Sequence, residues 1–309
     1  VSDFNTFWIS SPFFKIILGI MSLAFRIIPR LDIKGSNLVK GVHLEGLRVL
    51  GKPEIFAEYF YKEGADEIFY QDVVASLFGR NSLYEIISKT VKNIFIPLTV
   101  GGGIRTNKDI EKILKSGADR VSINSAALEN PKLIQEAVKT FGSSTIVITI
   151  EAIKQQNGKY FAFKNNGREN TNIDVIDWSK KVEDLGAGEI LLTSVDHEGT
   201  GNGMNIDLLE KVTQVVSIPI ICHGGAGATS DVIDVAKKKS ANGVALSSIF
   251  HYEFLSKKKN RVTEINSGNI EYLNSEKIPT NIKPSTIKNL KEHLSKNKIV
   301  CSRNHFLDI

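Results

Sequence analysis

Residues 95–127 read FIPLTVGGGIRTNKDIEKILKSGADRVSINSAA, and this stretch decides the fold. A short apolar run, Ile94 to Val100, feeds into Gly101-Gly102-Gly103, and a second, Arg120 to Ile123, feeds into Asn124-Ser125-Ala126. Both read as strands whose C-terminal ends open into a turn and then a helix. Glycines at that junction let backbone N–H groups approach an anion closely, and the helix N-terminus adds a favourable dipole. One such loop alone is also what any tight turn before a helix looks like.

A second copy removes that ambiguity. SIPIICHGGAGATSDVIDVAKKKSANGVALSSIFH, Ser217 to His251, repeats the plan: Ile96-Pro97 matches Ile218-Pro219, the glycines match Gly224-Gly225-Ala226-Gly227, and Asn124-Ser125 matches Ser247-Ser248. Upstream, GADEIFYQD (Gly64 to Asp72) matches GAGEILLTS (Gly186 to Ser194), and RIIPRLDIK (Arg26 to Lys34) matches STIVITIEAIK (Ser144 to Lys154). The chain is therefore expected to consist of two similar halves of four strand-helix units each. Eight βα units of about 25–30 residues use about 200–250 residues, which fits one (β/α)8 TIM barrel built from two half-barrels.

Composition agrees with one large core: 309 residues with 42% hydrophobic content. The net charge of +5 is modest, and part of the excess sits in Lys257-Lys258-Lys259 and Arg261. No aromatic-basic surface motif accompanies it, so anionic small molecules are expected as partners rather than nucleic acid. Two cysteines, Cys222 and Cys301, cannot make a disulfide framework and point to a reducing, cytoplasmic setting. No paired-ligand spacing suggests a metal, and no cofactor is implied.

At the start of the chain, Pro12 to Ile20 is apolar but interrupted by Lys15 and too short to span a bilayer. Residues 1–25 are expected to be an extension, with Met21 as an alternative start of translation. The barrel is expected over 26–300, with a tail over 301–309. Residues 253–283 are lysine- and asparagine-rich and form an expected insertion in the last βα loop. A helix should resume at Ser285, which can cap Thr286 to Ser295. Asn157-Gly158 is a hairpin signal, so Ala152 to Asn172 is expected to form a mobile flap after the fifth strand.

Side-chain parity then sorts the strands. On the first, Arg26, Ile28, Arg30 and Asp32 share one face; on the second, Glu67, Phe69 and Gln71; on the fourth, Arg120, Ser122 and Asn124; on the sixth, Glu189, Leu191 and Thr193. If those faces point inward, Arg26, Glu67, Arg120 and Glu189 meet at the strand beginnings with alternating sign. Buried charges cost several kcal/mol each unless paired, so four of them make a polar plug or gate rather than a cheap floor.

Asp32 and Glu151 end the first and fifth strands, which lie diametrically opposite in an eight-stranded barrel. Two carboxylates facing each other across the mouth are a common arrangement for a general acid and a general base, although carboxylates at strand ends also cap helices. The two glycine loops flank the same mouth, so the expected ligand is long and carries a phosphate at each end. Lys40 can reach over it, and His223, just before the second glycine run, is a further mouth candidate.

RIIPxLDxK, GADE, TVGGGIR, SINSAA, FGS, GAGEILLTSxDxxGT, GGAG and SxFH, in this order, resemble the cyclase subunits of imidazole glycerol phosphate synthase, from about Arg26 to His251. The resemblance implies a barrel that takes ammonia from a glutaminase subunit docked at its bottom. It converts a bisphosphorylated formimino carboxamide ribotide to imidazole glycerol phosphate and aminoimidazole carboxamide ribotide. It implies Asp32 and Glu151 as the acids, and Arg26, Glu67, Arg120 and Glu189 as the ammonia gate. Gly103, Asn124 and Ser125 match one phosphate site; Gly199, Gly225, Ser247 and Ser248 match the other, with Lys40 and Thr193 as further substrate contacts. Glu151 and Glu198 stand where the family carries aspartates, and Arg30 and Gln71 replace small or apolar residues. Those departures leave two alternatives: a paralogue amidating a sugar nucleotide for surface polysaccharide, and a catalytically idle scaffold for a glutaminase.

Overall fold

The structure, a computed structural model, describes residues 24–75, 83–257 and 280–302. Eight parallel strands form its wall: β1 (Arg26–Lys34), β4 (Ile68–Asp72), β5 (Leu98–Gly101), β6 (Arg120–Ile123), β7 (Ile146–Lys154), β10 (Glu189–Ser194), β11 (Ile220–His223) and β12 (Gly243–Leu246). β12 pairs with β1 and β7 with β10, so the sheet closes on itself. Around it run helices α1 (Pro53–Lys62), α2 (Tyr84–Thr90), α3 (Asn107–Lys115), α4 (Ser125–Glu129), α5 (Lys132–Phe141), α6 (Val175–Asp184), α7 (Ile206–Thr213), α8 (Thr229–Lys237), α9 (Ser248–Lys257) and α10 (Ile287–Lys296). The fold is the expected (β/α)8 barrel.

Local chemistry explains why the halves repeat. In α3, Thr106 accepts from the Asp109 N–H while Asp109 accepts from the Thr106 N–H, a capping box that starts the helix where the glycine loop ends. In α8, Asp231 accepts from Gly227 and Ala228 in the same way. Ile110 and Ile113 of α3, and Val232 and Val235 of α8, bury their apolar faces against the strands. The main core lies between strands and helices; a separate inner cluster of Ile28, Phe69, Val147, Leu191, Ile221 and Ala245 fills the barrel axis.

Each half also carries an antiparallel hairpin at the top of its first strand. β2 (Asn37–Val42) and β3 (Glu45–Gly51) follow β1; β8 (Tyr160–Lys164) and β9 (Glu169–Asp174) follow β7. The second follows the turn that Asn157-Gly158 signals, which joins β7 to β8, and it extends the sheet with a register shift between β8 and β9. The first was not anticipated, although Gly35-Ser36, between paired Lys34 and Asn37, is a two-residue turn of the right kind.

At the chain's end, Thr286 rather than Ser285 caps α10, accepting from Asn289, because its hydroxyl sits three residues before that N–H. Lys291 of α10 pairs with Asp66 at 2.7 Å, and Phe25 bridges Cys301, fastening the last helix to the start of the barrel. α9 runs to Lys257, past the 253 expected for the start of the insertion. Residues 258–279 of that insertion, 1–23 of the extension and 303–309 of the tail lie outside the described residues.

Candidate active site

The barrel interior is layered, and the register of neighbouring strands sets the layers. At the bottom, Glu189 is shared by Arg26 and by Arg120, the latter at 2.5 Å. Glu67 is shared by the same two arginines at 3.4 and 3.6 Å, and Thr99 donates to it. The four residues close a ring of alternating charge. Both carboxylates are buried while the arginines keep some contact with water. Burial pushes the Glu67 carboxyl up, and the arginines offset this only partly.

Above the ring comes the apolar cluster, and above that the mouth. Parity carries β1 inward through Arg26, Ile28, Arg30 and Asp32, as the alternation requires. Arg30 is 1% exposed; its Nε donates to Asp32 at 2.9 Å, its Nη1 lies 3.3 Å from His223 Nδ1 and 3.5 Å from Thr193 Oγ1, and its guanidinium sits over the Phe69 ring. Asp32 and Glu151 lie four strands apart around the barrel, on opposite sides of its axis. Glu151 accepts from the Gly167 N–H at 2.8 Å. Burial raises its carboxyl to about 7, against the pull of that N–H and of Arg30.

Two cavities flank the acids. The first, about 200 Å³, is lined by Gly103, Asn124 and Ser125 together with Gln71, Arg105 and Glu151. The buried Asn124 Oδ1 has no hydrogen-bond partner there. The second, about 20 Å³, is lined by Lys40, Gly199, Gly225, Ser247 and Ser248 together with His223 and Glu198. Gly199 has φ 74°, and a Cβ there would come within 2.7 Å of the Gly41 carbonyl, so only glycine lets the first hairpin cross this loop. Thr193 lines neither cavity; it is buried on the axis beside Arg30 and His223, because β10 turns that side chain inward below the loops.

The hairpins form a roof over the mouth. Lys40 pairs with Glu198, whose second oxygen accepts from Leu44 N at 3.1 Å. Asn166 at the tip of the second hairpin donates to the Leu44 carbonyl at 3.0 Å, tying tip to tip. His43, Leu44, Asn165 and Asn166 all adopt positive φ to make these tips. Asn165, Asn166 and Gly167 were missed from sequence; an Asn-Asn-Gly run is the turn signal that could have found them. Among the described residues, no three His, Cys, Asp or Glu side chains converge as metal ligands, and no helix is long and apolar enough to cross a membrane. Both cysteines are free.

This geometry has close relatives. The family pattern described as "Histidine biosynthesis protein" matches residues 26–256. The imidazole glycerol phosphate synthase subunit HisF of Legionella pneumophila is 54% identical over 202 residues, 65% of this chain and 95% of the relative. The HisF subunit of Natranaerobius thermophilus is 47% identical over 244 residues, 78% of this chain and 97% of the relative. That of Bacillus cereus is 48% identical over 230 residues, 74% of this chain and 91% of the relative. A barrel matched over its whole wall, with relatives this similar over nearly their entire lengths, belongs to the histidine biosynthesis protein family and stands within it among the HisF subunits.

Proposed function

We propose that the chain is the ammonia-using cyclase subunit of an imidazole glycerol phosphate synthase. In this reading ammonia from a glutaminase subunit enters through the ring of Arg26, Glu67, Arg120 and Glu189 and reaches the mouth along the axis. A bisphosphorylated formimino carboxamide ribotide spans the two cavities there. Ammonia adds, the imidazole ring closes, and the bond to the carboxamide ribotide breaks, releasing imidazole glycerol phosphate and aminoimidazole carboxamide ribotide.

The observation that carries the reading is the placement of Asp32 and Glu151 on opposite sides of the axis between two anion-suited cavities. Their environments differ, which supports different proton-transfer roles. Glu151, buried and raised to about 7, is suited to hold a proton near neutrality and give it up. Asp32 lies across the axis, paired with a permanent cation, Arg30. The free cysteines support a reducing, cytoplasmic setting.

Phe95, 79% exposed at the N-terminal end of β5, lies on the face where the partner would dock. The three relatives are named imidazole glycerol phosphate synthase subunit HisF, and no described feature of the mouth favours a sugar nucleotide instead. The test is direct: purified protein with an ammonium salt at high pH should convert the bisphosphorylated intermediate to both products, followed by mass spectrometry. Folded protein that shows no turnover overturns the reading, and competition by a nucleotide sugar would redirect it.

A further inference from the structure

His223 occupies the border between the axis and the second cavity, and its hydrogen bonding settles its tautomer. Arg30 Nη1 lies 3.3 Å from Nδ1, and an arginine only donates, so Nδ1 is the acceptor and the proton of the neutral ring sits on Nε2. Thr193 Oγ1, also 3.3 Å from Nδ1, is compatible with that assignment. Burial and the charges of Arg30 and Lys40 keep the ring neutral, holding its pKa well below the ordinary histidine value.

Nε2–H is therefore a donor, and the contacts with Arg30 and Thr193 both fall on the other nitrogen, Nδ1. His223 is 2% exposed yet lines the cavity that Lys40, Gly225, Ser247 and Ser248 also line. Lys40 brings an ammonium, Gly225 a backbone N–H and Ser248 a hydroxyl, while the Ser247 hydroxyl donates to the Arg30 carbonyl at 2.9 Å. α9 opens at Ser248, so its first amides and dipole face the same space. A cavity that gathers several donors suits an anion, which can accept from all of them.

We propose that His223 is a phosphate-binding residue of this second cavity, donating from Nε2–H to a phosphate monoester oxygen while Arg30 fixes its tautomer. Arg30 is here a positioning residue: it touches the imidazole and Asp32, not the phosphate. The inference rests on the reading of the cavity as a phosphate site, and it adds a neutral, directional donor to a pocket whose one cation, Lys40, is shared with Glu198.

The test uses the full chain labelled with ¹⁵N and titrated with glycerol 3-phosphate. In the free protein the His223 nitrogens should report a proton on Nε2 and an acceptor at Nδ1, and the phosphate ester should move the Nε2–H resonance. By calorimetry, His223→Ala should weaken binding about tenfold or more, as expected for losing a hydrogen bond to a charged group. His223→Gln, whose amide nitrogen reaches the Nε2 position, should recover most of it. Arg30→Met should mix the tautomers.

Unchanged affinity in folded His223→Ala overturns the inference, as does an equal loss in the Ala and Gln variants. If Lys40→Ala weakens binding while His223→Ala does not, the cavity is a phosphate site and His223 takes no part. If the unaltered protein binds no phosphate monoester, the underlying reading falls as well.

Discussion

Arg30 donates to Asp32 from two residues away on the same strand, Nε to Oδ1 at 2.9 Å, with both side chains buried inside the barrel. Residues two apart on a strand share a face, so placing an arginine below the first acid puts a permanent cation on the barrel axis. Its charge also reaches Glu151, where it opposes the effect of burial. One side chain thereby treats the two acids differently: it bonds one and acts on the other through space.

Arg30→Met keeps the length and apolar body of the side chain and removes the charge. The Glu151 carboxyl should then rise further above about 7, because the cation that lowers it is gone. The pH midpoint assigned to Glu151, read by carbon-13 NMR or by the pH dependence of ammonia-driven turnover, should move to higher pH. A midpoint that stays in place argues against this coupling.

Glu151 should also tax stability. Its carboxyl is raised from 4.5 to about 7 in the folded protein, so between those values the native state binds more protons than the unfolded one. Stability from this group is therefore full at acid pH, falls as pH rises through that window and is level above it, a loss of about 3 kcal/mol in all. Glu151→Gln keeps an oxygen for the Gly167 N–H and cannot ionise. Its stability relative to the unaltered protein should grow from pH 5 to pH 8 in urea titrations, while turnover drops; equal differences at both pH values would contradict the account.

The charged ring at the base invites a test of both structure and traffic. Glu189→Ala leaves Arg26 and Arg120 with Glu67 as their one shared anion and should destabilise the fold, toward the lower end of about 3–5 kcal/mol because both arginines keep some water. Under the gate reading, glutamine-driven turnover in the complex should fall more than turnover with added ammonia. Equal losses by the two routes would make the ring purely structural.

Phe95 touches only Tyr61 among described aromatic rings, at 6.1 Å between centroids, and leaves most of its surface in water. Phe95→Ala should change stability by no more than about 0.5 kcal/mol. If it anchors the partner subunit, association measured by calorimetry should weaken about thirtyfold or more, the range of an interface hot spot. Unaltered association would move the interface away from this rim.

Much of this was legible in residue order. The duplicated glycine loops and their upstream matches define two half-barrels, and the period of two along each strand decides which side chains face the axis. From that alone Arg26, Glu67, Arg120 and Glu189 fall in one layer, and Asp32 and Glu151 reach the opposite end. Parity is a local property of extended backbone, so it survives whatever the rest of the chain does.

What parity leaves open is what lies across the barrel, and only closure of the sheet decides that. Arg30 meets His223 from 193 residues away, and Lys40 meets Glu198 from 158. Closure also set Thr193 beside Arg30 and His223, and brought the two hairpin tips together over the acids. Sequence sets the direction of each side chain because covalent geometry alternates it; partners are set by the packing of eight strands around one axis, which no short stretch contains.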